Sequence, residues 1–216
     1  MHRRNTLAGR TAVLTTALAV VAALSACTPP SYRFTASDAD DLAVKVPRSW
    51  ALVKSGVPPA SDGTAGEAGN WYAVYDAAAR PSADHFDSRH AVAPVAMVRS
   101  LVVTAEQGQS LTADDLRDLY VPVTPQGRAE SGAPELTGAG FRLLEDAPLA
   151  TRTSQGVHVV ASYDLGEGAE VFDKVVVTDK RRTRVHVLVV HCSQSCYDSN
   201  RRSIADTVRS FTVRNP

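Results

Sequence analysis

Val157-His158-Val159-Val160-Ala161-Ser162-Tyr163-Asp164-Leu165, Val171-Phe172-Asp173-Lys174-Val175-Val176-Val177-Thr178 and Arg184-Val185-His186-Val187-Leu188-Val189-Val190 follow one another, joined only around Gly166-Glu167-Gly168 and Asp179-Lys180-Arg181. A fourth β-rich run, Phe141 to Glu145, precedes them, with Ser154-Gln155-Gly156 between. Valine suits a pleated, half-buried surface. Parallel strands need a crossover of a dozen or more residues, so connections this short predict an antiparallel meander. Val157, Val159, Ala161 and Tyr163 form one face of the first arm. In the last run Val185, Val187 and Val189 form one face and Leu188 and Val190 the other. A strand apolar on both faces is central and covered on both sides.

Outward to the C-terminus, Tyr197, Ile204, Val208 and Phe211 share a stripe at helical spacing, which predicts a helix over Tyr197 to Ser210. Asp198–Arg202 and Arg202–Asp206 are i, i+4 pairs on its other side. Outward to the N-terminus, Thr112 with Asp115 three residues on forms a capping box. Leu116, Leu119 and Tyr120 then give that helix one apolar face. Val121 to Gly140 reads as irregular. Val92 to Val103, Trp71 to Asp76 and Trp50 to Lys54 read as strands, as does Leu42 to Pro47, where proline stops the ladder. Trp50, Trp71 and Tyr75 are expected in the core and Tyr72 partly exposed. Gly56 to Asn70, with four glycines and two prolines, is a loop. The sum is an α+β fold, an antiparallel sheet with helices packed on its faces.

The first residues carry an address. His2, Arg3, Arg4 and Arg10 form a positive region, and Thr11 to Ala23 is an apolar stretch too short to span a bilayer. It ends at Leu24-Ser25-Ala26-Cys27, which resembles the lipobox of bacterial lipoproteins: an aliphatic residue, two small ones that fit a peptidase cleft, and a thiol to carry diacylglycerol. Residues 1–26 are therefore expected to be a lipoprotein signal peptide and Cys27 the lipidation site. Residues 27–41, with Pro29, Pro30 and three acids, form a tether to a soluble domain at 42–216. This places the domain on the extracytoplasmic face of a membrane, held by its N-terminal lipid. In that oxidising setting Cys192 and Cys196 are expected to form a disulfide. A redox pair calls for C-x-x-C after a βαβ pattern, and neither is present.

Charge excludes one class of partner. Removing residues 1–26 takes away three arginines and no acid, leaving 20 basic against 23 acidic side chains, so no nucleic-acid footprint is expected. The sequence has no H-E-x-x-H, G-x-S-x-G, Walker loop or G-x-G-x-x-G, and no lysine has a serine three residues before it. No catalytic residue is assigned and no cofactor is expected. Asp84, His85, Asp87 and His90 place two imidazoles and two carboxylates within seven residues. They are candidate metal ligands if the loop curls around one ion; a solvated polar connection is the alternative, and no metal is assigned. His158 and His186 are read as cross-strand neighbours with a packing role.

Val46-Pro47-Arg48-Ser49-Trp50, the run Val187 to Cys192, and Tyr197, Ile204, Val208 and Ser210-Phe211-Thr212-Val213 resemble the early strand and the terminal strand and helix of PsbP-like lipoproteins. Actinobacterial lipoproteins of the LpqN/LpqT type are similar. Arginine outnumbers lysine 19 to 4, which fits the GC-rich genomes of that group. The resemblance covers about residues 42–214 and implies an α/β/α sandwich. It brings no catalytic residues. Three functions then compete. One is a non-catalytic envelope lipoprotein that binds a protein or cell-wall component. The second is a carrier with an apolar cavity for a lipid or small hydrophobic ligand. The third is a hydrolase built on His85, His90 and nearby acids.

Overall fold

The computed structural model describes residues 31–37, 42–57, 69–132, 140–164, 166 and 168–214, in a unit that runs from Tyr32 to Pro216. The signal segment, Cys27 and most of the 56–70 loop lie outside the described residues. The strands are β1 (Tyr32–Ser37), β2 (Leu42–Pro47), β3 (Ala51–Gly56), β4 (Trp71–Asp76), β5 (Val95–Val102), β6 (Arg142–Ala150), β7 (Ser154–Asp164), β8 (Ala169–Asp179), β9 (Arg184–Ser193) and β10 (Thr212–Val213). The helices are α1 (Ala105–Ser110), α2 (Ala113–Asp118), α3 (Pro125–Glu130) and α4 (Gln194–Arg209), with a short 3-10 turn at Ala83–Asp87.

The meander is present and longer than its apolar runs. β6 through β9 pair antiparallel in sequence order, and β9 then meets β5, giving a seven-stranded sheet in the order β3-β4-β5-β9-β8-β7-β6. β9 is central, as its two apolar faces require. Leu188 and Val190 enter one core and Val185, Val187 and Val189 the other, all buried. A second sheet of three strands, β1-β2-β10, packs on the first core through Leu42, Val44 and Val46. Trp50 and Tyr75 are buried there, and Trp71 packs against it half-buried.

α4 lies on that same face. Ile204 and Val208 are buried, and Tyr197 and Phe211 pack beside them. The disulfide joins Cys192, in β9, to Cys196, in the first turn of α4. Thr112 caps α2, and its hydroxyl and Asp115 exchange the two bonds of a capping box. None of the described helices is long and apolar enough to cross a membrane.

Several expectations change. Tyr32–Ser37, assigned to the tether, pairs along its whole length with β2. Arg33 locks it by donating to the carbonyls of Arg48 and Trp50 at 2.8 and 2.9 Å. The folded unit therefore begins at Tyr32 rather than at residue 42. The helix capped by Thr112 ends at Asp118, and Tyr120 turns back at φ 72°. α1, with its own capping box at Thr104 and Gln107, precedes it, and α3 stands in the stretch read as irregular. Both are too short to show periodicity. The close ion pairs of α4 form at i, i+3, Arg201 with Asp198 at 2.7 Å and Arg209 with Asp206 at 2.6 Å, while Arg202 acts on Asp206 through its charge. His158 and His186 are not neighbours, because β8 runs between their strands; His158 lies opposite Val175 and His186 opposite Val177.

Candidate functional site

Seven strands about 4.8 Å apart make a sheet roughly 29 Å wide, and one helix about 10 Å across cannot cover it. On the first face α4 packs on β9 and β8 and against β2, whose Leu42, Val44 and Val46 share a core with residues of β4 and β5. Beyond α4 the cover of this face is incomplete toward β6. A groove of about 710 Å³ lies there. Its floor is Val175 and Val177 of β8 with Leu149 of β6, and its wall is Val208, Phe211 and Val213 at the end of α4 and in β10. The β6–β7 turn closes one side, where the Thr153 hydroxyl donates to the Val213 carbonyl at 2.8 Å. Arg152, Arg209 and Arg214 are at this groove too.

His158 is a half-buried polar residue of the groove. Its Nε2 donates to Asp173 Oδ1 at 2.8 Å, and its Nδ1 lies 3.1 Å from Glu145 Oε1. Tyr197 of α4 donates its hydroxyl to the other Asp173 oxygen at 2.7 Å. A carboxylate can only accept, so the two contacts hold both imidazole N–H groups, the charged form. Burial opposes that charge, but the bond to Asp173 and the charges of Asp173 and Glu145 outweigh it and raise the His158 pKa above the usual 6.5. Burial, then Asp173, push the Tyr197 phenol up as well. The network ties β6, β7, β8 and α4 together at one end of the groove.

On the opposite face Lys174 is buried beneath the end of α2 and the segment that follows it. Its Nζ donates to the carbonyls of Arg117, Leu119 and Val121. Burial lowers its pKa from 10.5 to about 8, against the pull of Asp118. A third polar cluster is buried near the disulfide. His191 Nδ1 lies 2.7 Å from Glu170, its Nε2 lies 3.0 Å from the Phe86 carbonyl, and its ring stacks on Phe172.

In sequence the chain matches no family model and no curated relative. In structure it is similar to the cyanobacterial PsbP protein (CyanoP) of Synechocystis, with a TM-score of 0.51 at 13% identity over 89% of this chain and 99% of that one. The fold is PsbP-like. Other matches are the Ran-binding protein Mog1p of Saccharomyces cerevisiae (TM-score 0.47, 13% identity, 85% of this chain and 96% of that one) and LpqN of Mycobacterium tuberculosis, described as involved in cell envelope biogenesis (TM-score 0.37, 10% identity, 81% and 83%).

The PsbP-like domain does not bring the candidate metal ligands to one point. The 3-10 turn directs Phe86 into the core and leaves His85 on Asp76, Nδ1 to Oδ2 at 2.7 Å. His85 and His90 line a small pocket of about 220 Å³ beside Asp76, whereas Asp84 and Asp87 line a different one with Tyr72 and Tyr120. Among the described residues no three or more His, Cys, Asp or Glu side chains are placed to hold a metal. Sequence reading missed Glu145 and Asp173 altogether. A signal existed: Asp173-Lys174 is a charged pair inside the apolar run Val171 to Val177, and charges are almost never buried unless paired.

Proposed function

We propose that this chain is a membrane-anchored extracytoplasmic lipoprotein, of the actinobacterial LpqN/LpqT type, whose PsbP-like domain binds a hydrophobic ligand without transforming it. The observation that carries the binding reading is the open apolar groove between α4 and the β6–β8 end of the sheet. Its volume lies within the roughly 300–1,000 Å³ of ordinary ligand sites. Filling it removes apolar surface from water at about 25 cal/mol for each Å². A base for hydrolysis is not on offer at the groove, because both nitrogens of His158 are already engaged by carboxylates. The lipobox ending at Cys27 and the arginine-rich composition support the anchoring and the source.

Two variants test the halves separately. Leu149→Trp fills the groove from β6 and should abolish binding of decanol, read by calorimetry, while the melting temperature stays within a few degrees. Decanol binding that is unchanged removes the groove reading. Cys27→Ala should move the protein from the membrane fraction to the soluble one; full retention on the membrane removes the lipoprotein reading.

A second reading, docking of an envelope protein or cell-wall component, is favoured by β6. This strand is an edge of the large sheet, and Leu143 and Leu144 on it are about half exposed. Strand addition at such an edge is a common recognition mode. Crosslinks in native membranes that persist in a Leu144→Lys variant would remove it.

A further inference from the structure

We propose that the groove selects amphiphiles with an anionic head, a carboxylate or a phosphate monoester, and an apolar tail. The proposal rests on the reading of the groove as the ligand site and adds the charge of the ligand to it. The floor and wall provide the place for the tail: Leu149, Val175, Val177, Val208 and Phe211 converge from β6, β8, α4 and the segment after it. The head is assigned by the rim. Arg152 comes from the β6–β7 turn, Arg209 from the last turn of α4 and Arg214 from beyond β10, so three separate segments each bring an exposed arginine to the groove.

Among the described residues no Asp or Glu lines this groove, in a chain whose basic and acidic residues balance 23 to 23. His158 is not the anchor, because its charge is met by Asp173 and Glu145. Arg209 gives one nitrogen to Asp206 at 2.6 Å. Arg152 and Arg214, both exposed, are left as the principal partners of an incoming anion. The planar fork of arginine matches the oxygen pairs of carboxylate and phosphate, so the rim is suited to a head that offers two oxygens. Next to an apolar floor such contacts are less screened than on an open surface.

Calorimetry with decanoate, decyl phosphate, decanol and decyl maltoside, each below its micelle concentration, reads the proposal. Wild-type protein should bind the two anions at least tenfold more tightly than the alcohol or the maltoside. In an Arg152→Ala/Arg214→Ala variant the anions should fall to the affinity of decanol, and the preference should weaken with added salt in the wild type. Equal binding of all four overturns the anionic head and leaves the groove standing. A preference that survives in the double variant also overturns it, because the arginines are then not its source. Failure of all four to bind overturns the groove reading itself. Binding confined to decyl phosphate narrows the head to phosphate and upholds the proposal.

Discussion

Asp173 and Lys174 are consecutive in β8, both almost fully buried, at 3% and 1% exposure, yet they meet opposite fates. Asp173 faces the α4 side and is satisfied by side chains, His158 and Tyr197. Lys174 faces the α2 side and is satisfied by three backbone carbonyls, one in the last turn of α2 and two in the segment that follows it. The side-chain network borders the open groove; the backbone cage closes a core. A charge held by side chains depends on the protonation and identity of its partners. A charge held by carbonyls depends on the loop keeping its path. The two sides of one strand thus divide into a charge held by side chains beside an open groove and a charge held by backbone inside a closed core.

The sharpest way to break this comparison is Asp173→Ala. It strands the His158 charge and the Tyr197 hydroxyl, and removing one partner of a buried pair costs about 3–5 kcal/mol. Urea unfolding that shows a loss under about 1 kcal/mol would mean that Glu145 and water hold His158 unaided. Lys174→Met should cost less, about 1–3 kcal/mol: three carbonyls lose their donor, but the desolvation of the charge disappears with it. If Lys174→Met proves as costly as Asp173→Ala, the backbone cage is no weaker a device than the network. Phe211→Ala tests the groove wall. Its ring is only half-buried, so the cost should be about 2 kcal/mol, below the roughly 3–5 kcal/mol of a fully enclosed ring. An unchanged melting temperature would show that the end of α4 is not packed on the sheet.

The pH effects have opposite signs. His158 has its pKa raised in the folded state by Asp173 and Glu145 in spite of burial. Its contribution to stability is complete below pH 6.5 and is lost as pH rises through the higher folded value. Lys174, lowered by burial from 10.5 to about 8, binds its proton in the unfolded chain but not in the folded one between those values. Stability from this residue therefore rises with pH from about 8 to 10.5. Each slope is at most about 1.4 kcal/mol per pH unit for one proton. Unfolding free energies measured across pH 6–10.5 should lose the first slope in His158→Gln and the second in Lys174→Met. A slope that persists in its own variant assigns it to another group.

Much of the fold was legible where the signal is local. The double-sided apolar pattern of Arg184 to Val190 predicted a central strand, and β9 is one. The capping box at Thr112 and the stripe of α4 stand where periodicity put them. β1 was hidden because Tyr32–Ser37 is brief and framed by Pro29-Pro30 and by acids, which made it read as part of the tether. His158 and His186 were misplaced for another reason. Both strands were recognised, but the strand between them decides who meets whom. The groove was not legible at all, since Leu149, Val175, Val208 and Val213 become neighbours only when α4 crosses the sheet over β8 and β9 and stops short of β7.

What the sequence determined by itself are the properties that depend on near neighbours along the chain. These are the strand and helix periods, the capping box, the close pairing of Cys192 with Cys196 and the lipobox pattern before Cys27. Side chains two, three or four residues apart already share a face, so a short window contains the whole interaction. The tertiary structure alone decided which buried charge received which partner, and where the sheet was left uncovered. Those depend on strand order and on the width of a seven-stranded sheet against the width of a single helix, distances set by residues tens of positions apart.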